Sequence, residues 1–504
     1  ADVRGIFWVP PPPAQRQPPR RGEETMASNI VVWATCLLAF LHRACGQVYV
    51  MAPESLVQKY SKTRGSIEGS TATFGAPFYG DRVLGRLVYG ESLLGKKHCK
   101  EADYNVPEAA TETRSGSSYK EVRLINIVLV RRGDCSFTTK VKVAYAKGAH
   151  AVIIVDKEES ELTTKDMRNI IVADDGYGGN IRIPSVLISK YDGRPLIEAA
   201  LNTKSQVIVE LAWNLPTNRV VQTDLWMSSG SRESLKFLKE FAPKRRTLNR
   251  VVSFTPHYAV FGMDSADQVT ANTLCSDRTG KYCAEDPDGP GPVTGRDVLE
   301  ENVRQLCIHD MYKKARTTNS LGSNGATAVE YAAEFWDYIE KFLDRCPLDK
   351  FGLDCSQKLM TEVKIDSAKI DGCVRSTGEA KLQHERKYPA WSPRALRING
   401  WRYSGVLDSD LVTRAICSGF TDTPQECKKL IKTRDYFTPY NGEQVEGVSF
   451  GTLIGWLFGT VVFASAALLL YKRYLKKEMR ATLREEVMLE VQAQIGEYSR
   501  LQGK

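Results

Sequence analysis

The chain has 504 residues, 42% of them hydrophobic, and a formal net charge of +9. Four arginines against three acids in residues 1–25, Arg43, and eight basic against five acidic residues in 472–504 account for +5 of that charge. The remaining +4 is too mild and too dispersed to support nucleic-acid binding.

Residues 1–25, ADVRGIFWVPPPPAQRQPPRRGEET, are rich in Pro and Arg and stop just before Met26. They read as a non-native leader and stand outside the fold. Residues 26–46, MASNIVVWATCLLAFLHRACG, carry an apolar core from Ile30 to Leu41 with the small residues Ala44 and Gly46 behind it. That is a signal-peptide pattern, and the core is too short to cross ~30 Å of hydrocarbon. Of the 12 cysteines, Cys36 and Cys45 fall in this segment and ten lie between Gln47 and residue 446, with none beyond. An even set confined to one, oxidising side predicts up to five disulfides. The chain holds no CxxC, no zinc-type Cys/His spacing and no HExxH, so neither a metal nor another cofactor is expected.

Between residues 50 and 213 the runs RLINIVLV, AVIIVD, IPSVLIS and QVIVELAW are β-branched and bounded by turn residues, which predicts strands. Helical spacing appears in SFTTKVKVAYAKGA and YDGRPLIEAALN, each between two strands, so an α+β domain is predicted. Ser136 can cap the first helix, which leaves Arg132 to Cys135 in the strand-to-helix loop. The stretch RRGDCSFTTK admits three readings: an RGD adhesion ligand, a reactive thiol, and a disulfide-pinned binding loop.

TFGAPFYG (73–80), RGDCSFTTKVKVAYAKGAHAVIIVD (132–156) and IPSVLISKYDG (183–193) together resemble the protease-associated domain. In that family the Arg-Gly-x-Cys-x-Phe loop lies beside a peptide-binding surface, which implies cargo-binding roles for Arg132, Gly133, Asp134, Cys135 and Phe137. The only other cysteine between the signal segment and Cys275 is Cys99, making Cys99 with Cys135 the economical disulfide. Closing that span is worth ~4 kcal/mol in the chain-entropy picture. With a partner at hand in an oxidising compartment, the pinned loop is preferred to the reactive thiol.

Residues 218–430 read differently. The strand RVVQTDLWMS, the amphipathic helix RESLKFLKEFAPK and the strand RVVSFTPHYAVF make a βαβ unit. WSPRALRINGWRYSG then supplies two strands around an Asn-Gly turn, before the helix DSDLVTRAICSGF. This is the split layout of a thioredoxin-like α/β domain, in which Pro393 occupies the family's cis-Pro position. The insertion, about residues 264–385, carries Cys275, Cys283, Cys307, Cys346, Cys355 and Cys373, and DVLEENVRQLCIHDMYKK and ATAVEYAAEFWDYIEKFLDRC are expected as helices in it. Where a redox enzyme needs its thiols the chain reads WMSSGSRES, so catalysis is not expected. His257 and His309 read as structural.

FTPHY (254–258), KYCAEDPDG (281–289), GRDVLEENVRQLC (295–307), FWDYIEKFLDRCP (335–347) and LVTRAICSGF (411–420), in this domain order, are similar to the vacuolar sorting receptors of plants and related protist receptors. The resemblance implies binding of sorting peptides of soluble hydrolases in the Golgi and delivery to a vacuole or prevacuolar endosome. Only about twenty residues separate Cys427 from Gly447, too few for the EGF-like repeats of the plant receptors.

After a linker at 431–446, residues 447–471 contain no charge and exceed the ~20 residues a spanning helix needs. Lys472, Arg473, Lys476 and Lys477 follow, and Glu443 and Glu446 precede, so the expected orientation is type I with a cytosolic tail at 472–504. The tail begins as a basic amphipathic helix and ends in Tyr498-Ser-Arg-Leu501, a tetrapeptide able to add a strand to a clathrin adaptor through Tyr498 and Leu501. The rival readings are a secretory-pathway oxidoreductase or non-redox chaperone, a ubiquitin ligase, whose RING the cysteine-free tail cannot form, and an RGD adhesion protein.

Overall fold

A computed structural model describes residues 47–90, 97–103, 106–107, 111–112, 122–202, 206–263, 268–317, 328–437 and 450–501. The leader and signal segment expected over 1–46 lie outside them. The chain divides into a compact unit up to Tyr440 and a second unit from Asn441 onward.

The first domain is built on an eight-stranded mixed sheet ordered β2-β1-β10-β4-β7-β8-β9-β3. Its strands are β1 Val48–Ala52, β2 Ser66–Ile67, β3 Gly69–Thr71, β4 Arg82–Tyr89, β7 Ile125–Arg131, β8 Ala151–Val155, β9 Ser185–Ile188 and β10 Ile208–Ala212. A two-residue ladder, β5 Thr111–Glu112 with β6 Val122–Arg123, lies outside it. The central strands β4, β7, β8 and β9 run parallel, so they are covered on both faces and read as continuous apolar runs. Side chains alternate along them: Val128, Val130, Val152 and Ile154 pack with Val141 and Ala144 of helix α2 (Phe137–Ala146). Ile127, Leu129, Ile153 and Val155 face the other way, toward Leu196 and Ile197 of α4 (Lys190–Leu201). The period of two thus assigns one strand to two cores. Short α1 (Glu54–Lys59) and α3 (Thr164–Met167) complete this domain.

The second domain holds a four-stranded sheet, β12-β11-β15-β16. Parallel β11 (Val221–Met227) and β12 (Val252–Tyr258) are joined through α5 (Arg232–Thr247). Antiparallel β15 (Ala395–Ile398) and β16 (Trp401–Arg402) follow much later. Helix α5 continues past Pro243 because Leu235, Leu238, Phe241, Ala242 and Arg245 all lie on its buried face. Between β12 and β15 come α6 (Gln268–Leu274), α7 (Gly295–Tyr312), α8 (Ala333–Arg345), α9 (Leu353–Glu362) and α10 (Ser367–Lys387). After the sheet come α11 (Ser409–Ser418) and α12 (Gln425–Leu430). All ten cysteines among the described residues are paired: Cys99–Cys135, Cys275–Cys283, Cys307–Cys373, Cys346–Cys355 and Cys417–Cys427.

Two expectations are corrected here. Lys313 and Lys314, at the end of one expected helix, and Ala328–Ala332, at the start of the other, instead belong to the antiparallel hairpin β13–β14 (Lys313–Thr317 with Ala328–Ala332). Alternation decides it: Val329 and Tyr331 are buried while Glu330 between them is exposed, a strand pattern that outweighs the helix propensity of the alanines. Pro393 is also not cis; the cis peptide among the described residues is Ala52–Pro53.

The two domains share a seam made by the chain leaving β16. The Arg402 guanidinium donates to Ser70 Oγ and to the Ile170 carbonyl, both at 3.0 Å. The N–H of Ser404 bonds Tyr79 Oη at 3.0 Å, and Gly405 and Val406 bond the carbonyls of Ala72 and Gly75, both at 2.9 Å. Tyr79 and Tyr403 stack with centroids 5.2 Å apart. Gly405 sits at φ +101°, and a Cβ there would run into Pro77.

The described residues of the second unit form the helix α13 (Phe450–Leu501). Its segment Phe458–Lys477 is long and apolar enough to cross a membrane, while 447–449 of the expected span lie outside the described residues. The tetrapeptide Tyr498–Leu501 is helical in backbone rather than extended.

Gly405→Ala forces both a disfavoured dihedral and a clash at the seam, and is expected to cost about 1–3 kcal/mol. A lowered denaturant midpoint checks this.

Candidate functional site

The loop after β7 is held at three points. The Arg132 N–H donates to the Val155 carbonyl at 2.8 Å, continuing the pairing of β7 with β8. Cys135 is tied to Cys99. Ser136, the N-cap of α2, accepts from the Thr139 N–H at 3.2 Å. Between these points Gly133 at φ 128° and Asp134 at φ 64° turn the chain outward, a reversal that asks for glycine at the first position.

The expected binding residues divide into two sets. Arg132 turns inward, pairing at 2.9 Å with the fully buried Asp156 and lying 5.2 Å over the Phe137 ring. Gly133 and Asp134 form the tip, with exposed Asp134 paired to Lys97 at 3.0 Å. Arg132, Cys135 and Phe137 therefore shape the loop from below, and the first turn of α2 offers N–H groups and a positive dipole end suited to a carboxylate or peptide carbonyl.

Residue patterns alone did not reveal three supporting groups. Lys140, buried on α2, donates to the Lys97 carbonyl at 2.6 Å and so anchors the arm that carries Cys99. The carboxylate of Asp175 accepts from the Tyr177 N–H at 3.2 Å and lies near the hydroxyls of Ser136 and Thr138. Burial works against its charged form, but these hydroxyls and the Tyr177 N–H outweigh that and hold its pKa below the usual value. Asp175 thereby fastens a second loop beside the first, and on it Tyr177 stands 78% exposed. On the other flank, Glu158 is held below its usual pKa, chiefly by the Arg194 hydrogen bond, and also pairs with Arg131 at 3.1 Å. The surface around the tip is thus an exposed aromatic and mixed charges on rigid supports. A signal existed for Tyr177, an aromatic among Asp and Gly in ADDGYGGN, but nothing local says which loop it adjoins.

The corner of the second domain where a thioredoxin would carry its thiols is closed by the insertion. The Ser229 N–H donates to Asn302 Oδ1 at 3.0 Å and its hydroxyl to the Val298 carbonyl at 3.2 Å, both on α7. At Gly230 a Cβ would meet Val298 and Pro287. Beside this corner lies a cleft of about 200 Å³ lined by Trp226, Ser228, Tyr258, Phe261, Glu385 and Pro393, with no thiol among its lining residues.

Comparison with known proteins follows the same division. Residues 83–196 match the PA domain, and residues 221–417 match the vacuolar sorting receptor thioredoxin-like domain. The second match carries the vacuolar sorting receptor name, and the relatives that align across both domains carry it too. The chain is 30% identical over 429 residues to vacuolar-sorting receptor 1 of Pisum sativum, covering 78% of this chain and 64% of that one. With vacuolar-sorting receptor 4 of Arabidopsis thaliana it shares 30% over 408 residues, 75% of this chain and 59% of that one. The chain thus spans about three fifths of the length of the curated relatives it matches. These relatives are named as receptors, not enzymes. Among solved structures, reduced DsbA of Mycobacterium tuberculosis aligns at 13% identity over 43% of this chain and 94% of that one, with a TM-score of 0.26, too low to bear any weight.

Fully buried His98, next to Cys99, has its Nδ1 3.2 Å from the Gly90 carbonyl, and burial pulls its pKa from 6.5 down to about 4. The unfolded chain takes up a proton near pH 6.5 that the folded chain refuses until about pH 4. The stability this neutral imidazole contributes is therefore complete above pH 6.5 and is lost as pH falls toward 4. The melting temperature is expected to fall between pH 7 and pH 5, and to fall less in His98→Gln.

Proposed function

We propose that this chain is a single-pass type I cargo receptor. It binds sorting peptides of soluble hydrolase precursors at the loop Arg132–Phe137 in the Golgi lumen and carries them toward a vacuole or prevacuolar endosome. The observation that carries this reading is the pinned loop: a tip at Gly133 and Asp134, braced by the Cys99–Cys135 bond and by Arg132 on Asp156, next to exposed Tyr177. A preformed loop loses little conformational entropy on binding, which favours recognition of a short flexible peptide. The family pairing of the two domains and the apolar segment Phe458–Lys477 support the receptor reading.

Coupling to transport is assigned to Tyr498 and Leu501 through clathrin adaptors. Because the free tail is helical there, docking as a strand requires the last turn of α13 to unwind.

Full-length protein in nanodiscs, mixed with soluble hydrolase precursors from the same cells, should retain them. Arg132→Ala with Phe137→Ala should lower affinity at least about tenfold, or about 1.4 kcal/mol. Equal retention by a folded variant would move the site, and no retention by wild type would reject the cargo reading. In cells, Tyr498→Ala should redistribute the protein to the surface, read by surface biotinylation; an unchanged distribution would remove Tyr498 as the sorting signal.

A further inference from the structure

We propose that His257, His384 and Glu385 form a binding site for a divalent transition-metal ion, with Zn²⁺ the best match to the donor set. His257 lies on β12, and His384 and Glu385 lie in the last turn of α10. His257 Nδ1 is 3.1 Å from Glu385 Oε2, and His384 Nδ1 is 3.3 Å from Glu385 Oε1. One donor atom from each residue lies within 4.8 Å of the other two. Tetrahedral zinc with bonds of about 2.0–2.1 Å sets its ligands about 3.3 Å apart. Each imidazole already lies about that far from one Glu385 oxygen, His257 from Oε2 and His384 from Oε1, so the carboxylate can meet an ion through one oxygen or both.

The third edge, between the imidazoles, closes by movement of one ring. The rings are parallel with centroids 6.1 Å apart. His257 is fixed, 10% exposed and stacked on Trp226 at 4.5 Å, whereas the His384 side chain is 56% exposed and held by its contact with the Tyr388 ring at 4.7 Å, which gives way as it turns. Its exposure also leaves water access to the fourth position.

The surroundings suit a cation. Glu385, only 4% exposed, is oriented by the Tyr258 N–H, which donates to Oε2 at 3.0 Å. The Asp224 carboxylate on neighbouring β11 lies within electrostatic reach of His257, as an outer carboxylate does in many metal–histidine sites. The C-terminus of the 21-residue helix α10 adds its partial negative charge. Of the nearby cations, Arg386 is turned away to the Lys281 carbonyl at 2.6 Å, and Arg397 lies over the Trp226 ring. Two imidazoles and one buried carboxylate form the His₂Glu set that zinc takes in proteins, and a bound ion would clasp the last helix of the insertion to the sheet.

The test uses tag-free full-length protein in nanodiscs, stripped with chelator and titrated with Zn²⁺ by calorimetry. Co²⁺ absorption serves as the reporter of tetrahedral geometry. The expected result is one equivalent bound, tetrahedral Co²⁺ bands, and a melting temperature raised by Zn²⁺. His384→Ala, at an exposed position, should weaken binding more than about tenfold, and so should Glu385→Gln. His150→Ala, outside the cluster, should leave it unchanged. No binding by the folded wild type, or binding that survives His384→Ala, overturns the proposal.

Discussion

The packing of the two domains against each other depends first on one short stretch, Arg402 to Val406. Its Arg402 guanidinium reaches across to Ser70 and Ile170, and three successive backbone N–H groups, from Ser404 to Val406, find acceptors on the first domain. Buried backbone donors must be satisfied, so this stretch lies against the first domain in one register only. The Asn399–Gly400 turn that delivers it is held in place by Asn399, whose side-chain N–H donates to the carbonyls of Pro216 and Gly419. The chain entering the second domain and the helix ending near Gly419 are thereby gathered at one point. Arg434 adds a second strap, donating to the carbonyls of Pro77 and Ala76 and lying over Phe78.

That rigidity matters for the proposed binding loop. The tip at Gly133 and Asp134 rests on a disulfide, a buried ion pair and a capped helix, each closed before any partner arrives. Recognition there, as proposed, would cost little ordering of this chain. The second domain contributes differently: α7 fills the corner that would host redox chemistry, so the fold survives as a packed support with a cleft beside it.

Much of this could be read from residue order. The apolar runs of β7, β8 and β9, the amphipathic stripe of α5 and the Asn-Gly turn before β16 are local patterns with local causes, and the structure places elements there. The hairpin β13–β14 shows where that logic stops. Its alanines favour helix, and only burial of Val329 and Tyr331 against the helices around them selects the strand. Around the loop, the motif marks Arg132 and Phe137 but does not say that Arg132 turns inward onto Asp156, nor that Asp175 brings Tyr177 alongside.

What the sequence by itself determined is the kind of each segment: strands from period two, helices from period 3.6, an apolar run of spanning length, and a serine where a catalytic thiol would stand. These follow from interactions between residues a few positions apart. Which residues meet was decided by the tertiary structure: Arg402 with Ser70, Asp175 with Ser136, and His257 with Glu385, the last two pairs being partners across 39 and 128 positions. Such contacts depend on how whole sheets and helices pack, because a buried charge or N–H accepts whichever partner the surrounding apolar surfaces bring within reach.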